Sequence, residues 1–229
     1  MALTDAQARI YRVIVEVGEQ SHDGDATLAL NPDGQGLSVG GIQFTQASGN
    51  LGKLLARANS SFPLDFARAF PDVRELLRVT GVPSLAPVAG AVLWSEPWVS
   101  RFRAAGRTPW FQAVCRTYAF STDAGFWPAT REVADLLGLR LERSWGVVMD
   151  RCVNGGPGRA TRAAKATAAW LATASEPPPE AVVVGAFLGR ALEYVKGGRY
   201  EKTITERTWR VYESPLLSDG EMPDLAGVA

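Results

Sequence analysis

The sequence predicts an α+β protein, mostly helical, in which a small antiparallel sheet stands beside a helical body and a cleft separates two lobes. Residues 5–19 repeat apolar side chains at helical spacing, and residues 26–44 break into short apolar stretches divided by turn residues. From Gln46 onward helical patterns succeed one another to about residue 213. A helix stripe and a sheet face must each be buried against another element, and packing many helices beside one small sheet is the α+β solution.

The elements run in order. Thr4-Asp5-Ala6-Gln7 has the form of a capping box, and Ile10, Val13, Ile14 and Val17 line one face of the helix predicted over 5–19. Asn31-Pro32-Asp33-Gly34, Gly36 and Gly40-Gly41 punctuate the β element between Ala26 and Phe44. Leu51, Leu54 and Leu55 mark one helix, Phe62 to Val79 another, and Pro83 to Pro87 a loop. Segments 95–104 and 108–121 read as helices, and Pro128 suits the first turn of one reaching about 137. Leu139 to Val153, with Trp145, Val147, Val148 and Met149, predicts a central buried helix ended by Asn154-Gly155-Gly156-Pro157-Gly158. An Ala-rich helix over 159–174, a stiff loop at Glu176 to Glu180, and helices at 180–196 and 203–213 complete the body. The 229 residues suit one domain, with a small β-bearing lobe at about 20–60 and an irregular tail over 214–229.

Composition removes several classes of function. With 46% hydrophobic and 21% charged residues the chain is neither disordered nor fibrous. Lys+Arg and Asp+Glu number 24 each, so the basic excess of a general nucleic-acid binder is missing. A single histidine, His22, rules out a site with several His ligands, and Cys115 and Cys152 alone make neither a structural zinc site nor a disulfide framework. No metal or cofactor is expected. The N-terminal residues lack the form of a secretory signal, and no apolar run approaches the ~18 residues of a membrane span. The chain is therefore expected to be soluble: cytoplasmic, a mature form trimmed of its signal, or one exported without a cleaved signal.

Two carboxylates stand out. Glu19 ends the first helix and Asp33 lies in the Gly-rich β segment after it, so the pair could flank a sugar as the acid and base of glycoside hydrolysis. The alternative is a solvated helix-end Glu and a turn Asp. Ser21-His22-Asp23 are adjacent and so do not form a triad, whose members converge from separate segments. The chain has seven Trp, and Trp94, Trp98, Trp110 and Trp127 either stack on sugar rings or fill the core. Asp150 sits in the most apolar helix, where an unpaired carboxylate is costly; Arg190, Arg207 and Arg210 are the downstream candidates for its partner.

These residues resemble the family-46 glycoside hydrolases, the chitosanases. Ile10 to Gln20 is similar to that family's first helix, and Asp33-Gly34-Gln35-Gly36-Leu37-Ser38-Val39-Gly40-Gly41-Ile42-Gln43-Phe44 resembles its Asp-Gly-Arg-Gly-Tyr-Thr-x-Gly-x-x-Gly-Phe segment. Ser48-Gly49-Asn50 stands where the family has Thr-Gly-Asp. Met149 to Gly158, Ala186-Phe187-Leu188-Gly189-Arg190 and Thr208-Trp209-Arg210-Val211 resemble later blocks in the same order. The resemblance implies a lysozyme-like fold and an inverting mechanism, with Glu19 as acid, Asp33 as base and Ser38 positioning the attacking water. Gln43, Thr45 and Asn50 become substrate contacts, and Asp150 with Arg190 and Arg210 an ion-pair network behind the acid.

The departures bear on substrate. Asn50 replaces an Asp that meets a substrate amine in the family, Gln43 replaces a Gly, and the stretch from acid to base is short. Gly41-Ile42-Gln43-Phe44 is similar to the Gly-Leu-Met-Gln-Ile stretch of peptidoglycan-cleaving enzymes. Neutral net charge also suits polycationic chitosan poorly. The expected partner is therefore a polysaccharide, bacterial peptidoglycan first and chitosan second, together with an immunity protein or delivery apparatus. Neither nucleic acid nor membrane is expected. A non-catalytic glycan-binding relative is the third alternative.

Overall fold

The computed structural model describes residues 3–19, 23–31, 34–82, 84–198 and 201–223. The chain begins as the sequence predicts. The Thr4 hydroxyl accepts from the Gln7 amide, and the Gln7 side chain accepts from the Thr4 amide, closing a capping box on α1 (Asp5–Val13). Beyond Val13 the helix widens into one π turn, Ile14–Gly18, which ends at Glu19.

The chain divides into two compact units, Gln20–Ala119 and Ala2–Glu19 with Phe120–Ala229. The first holds the sheet. Strands β1 (Leu28–Asn31), β2 (Gly36–Val39) and β3 (Phe44–Thr45) pair antiparallel in that order, with Leu28 opposite Val39 and Ser38 opposite Thr45. All four residues of β2 are buried, so this middle strand is covered on both faces. Gln46 is buried beside it, its Oε1 accepting from the Leu37 amide and its Nε2 donating to the Ser84 carbonyl. This unit runs well past the predicted lobe boundary at 60: α2 (Asn50–Ser61) packs on β3 and α5 (Trp98–Gly106) on β1, and α3 (Pro63–Ala69), α4 (Val73–Thr80) and α6 (Pro109–Ala119) pack on one or both of these helices. The single helix predicted over 62–79 is in fact α3 and α4. Pro71 disfavours a helical residue before it, and Phe70 is extended at φ −131° and ψ 86°. Phe70 nevertheless fills the core, its ring 5.0 Å from Phe66 and 4.9 Å from Phe102.

The second unit continues with α7 (Phe126–Leu137), α8 (Glu142–Gly155), α9 (Pro157–Leu171), α10 (Glu180–Glu193) and α11 (Glu201–Tyr212). As predicted, α8 is central: α1, α7, α9, α10 and α11 all pack on it. Its start lies three residues and its end two residues later than expected, since Leu141 is still extended and Gly156, at φ 84°, makes the break. Arg9 of α1 is held in a fork by buried Glu142. The described part of the tail, residues 213–223, is irregular, yet it is tied down. Arg143 donates to the carbonyls of Tyr212, Ser214 and Leu217, and the Leu217 side chain lies buried over Gly146. No helix among the described residues is long and apolar enough to cross a membrane.

The α2–α4 contact depends on a missing side chain. A Cβ on Gly52 would lie 1.7 Å from the Thr80 carbonyl oxygen, a backbone atom that cannot swing away. Gly52→Ala is therefore expected to destabilise the protein by ~1–3 kcal/mol or more, read as a lower urea midpoint. Gly185→Ala on the exposed face of α10, with no atom within 4 Å of the added carbon, should leave stability unchanged or raise it by up to ~1 kcal/mol.

Candidate active site

Glu19 owes its position to the π turn. The Glu19 amide donates to the Ile14 carbonyl at 2.9 Å, five residues back, which inserts one residue into the helical register and re-aims the side chains beyond it. Gly18 then makes room. A Cβ there would lie 2.9 Å from Arg207 Nη2, so the guanidinium passes over a bare backbone to reach Glu19.

Three helical segments meet at that guanidinium. Arg207 of α11 places Nη1 2.6 Å from Glu19 Oε1 and donates from Nε to Asp150 Oδ1 at 2.8 Å. Asp150 of α8 is 0% exposed and Arg207 is 6% exposed. Asp150 Oδ2 accepts from Arg151 Nε and Nη2 at 3.2 and 2.7 Å, and Oδ1 also accepts from Asn154 Nδ2 at 3.1 Å. All four acceptor positions of this carboxylate are thus filled, as its burial requires. Burial pushes the Asp150 carboxyl up, but the Arg207 and Arg151 charges and their hydrogen bonds outweigh it and hold the group below the usual range. Glu19 resolves the other way. Its side chain is 20% exposed, and desolvation raises its carboxyl above the usual range despite the Arg207 charge and hydrogen bond. Its second oxygen has no partner among the described residues, which leaves it able to give or take a proton.

The expected network is therefore corrected in two members. Arg190 and Arg210 do not pair with Asp150, whose acceptor positions Arg207, Arg151 and Asn154 occupy. Arg190 lies over the Trp170 ring at 5.6 Å and donates to the Ala186 carbonyl. Arg210 reaches back to the Val17 carbonyl in the π turn at 3.4 Å. Arg207 is one of the three arginines that the apolar setting of Asp150 singles out in the sequence. Arg151 is not, because neighbours in a helix ordinarily point apart.

In the β-bearing unit the sequence-predicted residues form a second group. Ser38 Oγ lies 2.9 Å from Thr45 Oγ1, across the β2–β3 pair, and Thr45 donates to the Gln43 carbonyl at 3.1 Å. Gln43 adopts φ 60°, a left-handed conformation that is costly for a side chain of its size. Its Nε2 donates to the Gly40 carbonyl, while its Oε1 is buried without a partner among the described residues. Buried Asp25 anchors this turn by accepting from the Gly41 amide at 3.1 Å. α2 begins at Asn50 itself after a left-handed Gly49, and Asn50 Oδ1 accepts from the Tyr118 hydroxyl at 3.3 Å. Asp33, Ser21 and His22 lie outside the described residues, and with Asp33 the separation of the two carboxylates. Trp98 and Trp127 are core residues, whereas Trp94 and Trp110 keep part of their surface exposed.

No family model matches the sequence, and no curated protein matches it either. Solved structures do. A chitosanase variant from Bacillus subtilis in complex with 6 GlcN superposes with a TM-score of 0.65 at 16% identity, covering 92% of this chain and 87% of that one. The chain has the fold of the family-46 chitosanases. The native Bacillus subtilis chitosanase gives a TM-score of 0.62 at 16% identity, again over 92% of this chain and 87% of that one. A family-46 chitosanase from Gynuella sunshinyii, in complex with chitotetraose, gives 0.61 at 19% identity with the same coverage. The chitosanase-like fold is thus the point of likeness; residue identity is low throughout.

Asp150 gives two measurable consequences. Asp150→Ala would strand two buried guanidinium groups and is expected to cost ~3–5 kcal/mol. The folded-state pKa of Asp150 is depressed, so its stabilisation is present above the unfolded carboxyl value of about 3.9 and is lost as pH falls through the folded value. Urea midpoints measured from pH 7 down to pH 2 should show a steeper acid limb for the unmodified protein than for Asp150→Asn.

Proposed function

We propose that the protein is an endo-acting, inverting glycoside hydrolase that cuts β-1,4 bonds of bacterial peptidoglycan. Glu19 is the proton donor, Asp33 the base and Ser38 the residue that positions the attacking water. The observation that carries this reading is the Glu19 carboxyl: mostly buried, raised in pKa by that burial, held through one oxygen by Arg207 and unengaged at the other. A carboxyl in that state keeps its proton above the usual Glu range and can deliver it to a leaving glycosidic oxygen. Arg207 fixes its direction, and the Asp150–Arg151 pair fixes Arg207.

Peptidoglycan is favoured over chitosan by the neutral chemistry of the β-bearing unit. A glucosamine ammonium needs a carboxylate partner, whereas an N-acetyl amide is matched by an Asn or Gln side chain. Asn50 is an amide where the resemblance has a carboxylate. The second reading is a chitosanase, and it is supported by the solved structures of this fold, among them chitosanases in complex with 6 GlcN and with chitotetraose. On the first reading the enzyme reaches the wall by lysis or a delivery apparatus, and an immunity protein guards the producing cell.

Glu19→Gln keeps the shape and removes the donated proton, so turnover should fall at least ~100-fold with the circular dichroism spectrum unchanged. Glu16→Gln is the control. That residue is exposed and paired with Arg12, and its loss should be tolerated. Near-wild-type turnover in a folded Glu19→Gln protein would refute the assignment.

Substrate choice is read from reducing ends released from purified peptidoglycan and from fully deacetylated chitosan, with the anomer formed first identified by NMR. The expected result is peptidoglycan cleavage to the α-anomer, little chitosan cleavage, and a shift of the ratio toward chitosan in Asn50→Asp. Chitosan hydrolysis with none on peptidoglycan would replace the first reading by the second.

A further inference from the structure

Behind the Asp150 network the helical unit carries an arginine whose hydrogen-bonding capacity is only partly used. Arg151 is 3% exposed, yet among the described residues its only hydrogen-bond partner is Asp150 Oδ2, reached through Nε and Nη2. Its Nη1 group is left without a partner among the described residues. The charges around it do not balance either. With Glu19 protonated, as an acid must be before it acts, Arg207 and Arg151 share the single negative charge of Asp150.

Arg151 borders a small void of about 10 Å³, room for one water-sized atom. Gly155, Arg159 and Tyr194 line it together with aliphatic side chains, and no carboxylate does. The exposed Arg159 has no ion-pair partner among the described residues. The void lies at the start of α9, a helix of 15 residues whose basic side chains Arg159, Arg162 and Lys165 are matched by no acidic one. The amides of Arg159 and Ala160 turn back to the Gly156 carbonyl, while that of Gly158 has no partner among the described residues. Around Gly155, Gly156 and Gly158 no atom comes within 4 Å of where a Cβ would stand, so the backbone ledge is open.

We propose that this is an oxyanion-binding site. One oxygen of a carboxylate or phosphate enters the void against Arg151 Nη1. The others meet the Arg159 guanidinium and the Gly158 amide at the positive end of α9. The anion offsets the unmatched charge of Arg151 at the far side of the network that holds Glu19. Two sources supply this chemistry: free inorganic phosphate, or the peptide carboxylates of a peptidoglycan fragment. The second rests on the proposed function.

The test is a ¹H–¹⁵N NMR titration of the full chain with inorganic phosphate, and separately with a disaccharide–tetrapeptide fragment of peptidoglycan. Saturable shifts of the Gly155, Gly156 and Gly158 amides are expected, with affinity falling ~10-fold or more in Arg159→Gln and falling again as added salt screens the charge. Lys165→Gln, about two turns along the same helix and exposed, should bind as the unmodified protein does. Shifts with the fragment identify the peptide carboxylate as the natural ligand; shifts with phosphate alone identify the free ion. Linear, non-saturating shifts with both, or the same affinity in Arg159→Gln, would overturn the site. Hydrolysis of peptidoglycan is measured apart from this titration, so a protein that cleaves glycan yet shows no saturable shift loses the anion site and keeps the proposed function.

Discussion

The chemistry of the helical unit depends on one buried guanidinium. Arg207 is the only described side chain that touches both Glu19 and Asp150, and through it the π turn after α1 is joined to α8 and α11 at a single point. A buried ion pair is a weak source of net stability, because desolvation offsets most of the Coulomb gain. Its value here is orientation. With Nε on Asp150 and Nη1 on Glu19, the planar fork of Arg207 cannot rotate without breaking a charged hydrogen bond. Glu19 is thereby aimed while its second oxygen stays unengaged. Two opposing effects act on that carboxyl, and burial wins over the adjacent positive charge. The reverse holds at Asp150, where two arginines outweigh complete burial. The two carboxyls of one network are thus driven in opposite directions, the condition that separates a proton donor from a permanently charged anchor.

The described candidate substrate contacts of the β-bearing unit, Gln43, Thr45 and Asn50, are neutral, as is Ser38. Ser38, Thr45 and Gln43 are joined by hydroxyl and carbonyl contacts, and the turn that carries Gln43 is held from below by Asp25. Gln43 sits in a left-handed conformation with a buried acceptor left unmet, two costs that a glycine at that position would avoid. Asn50, whose carbonyl oxygen is engaged by Tyr118, offers an amide where the family resemblance has a carboxylate. That difference is the basis on which an N-acetylated glycan is proposed as the substrate.

Likeness of fold at low residue identity has a simple origin. Burial pattern, element lengths and break points select the architecture, and many side-chain sets satisfy them. The ion network illustrates the same freedom. The resemblance placed Arg190 beside Asp150, whereas this chain fills that position from Arg151, one residue along α8, and spends Arg190 on stacking against Trp170. What the site requires is a second donor to the far oxygen of Asp150, and the backbone position that supplies it is secondary.

Features that arise within a few residues of one another are legible in the amino-acid order alone. The Thr4–Gln7 capping box, the apolar stripe of α1, the three short strands between turn residues and the apolar face of α8 all come from local hydrogen bonding and periodicity. The need of Asp150 for an arginine is legible as well, since an unpaired charge in so apolar a helix is untenable. So is the break at Pro71, through the proline's effect on Phe70, although the continuous apolar pattern masks it. The choice of arginine is another matter. Arg207, Arg190 and Arg210 are equivalent as sequence, and which of them answers Asp150 depends on how α11 lies against α8, 57 residues away. The π turn before Glu19, the passage that Gly18 leaves for Arg207 and the bare contact of Gly52 with Thr80 are of the same kind. Each is set by the approach of distant segments, whose geometry no local pattern encodes.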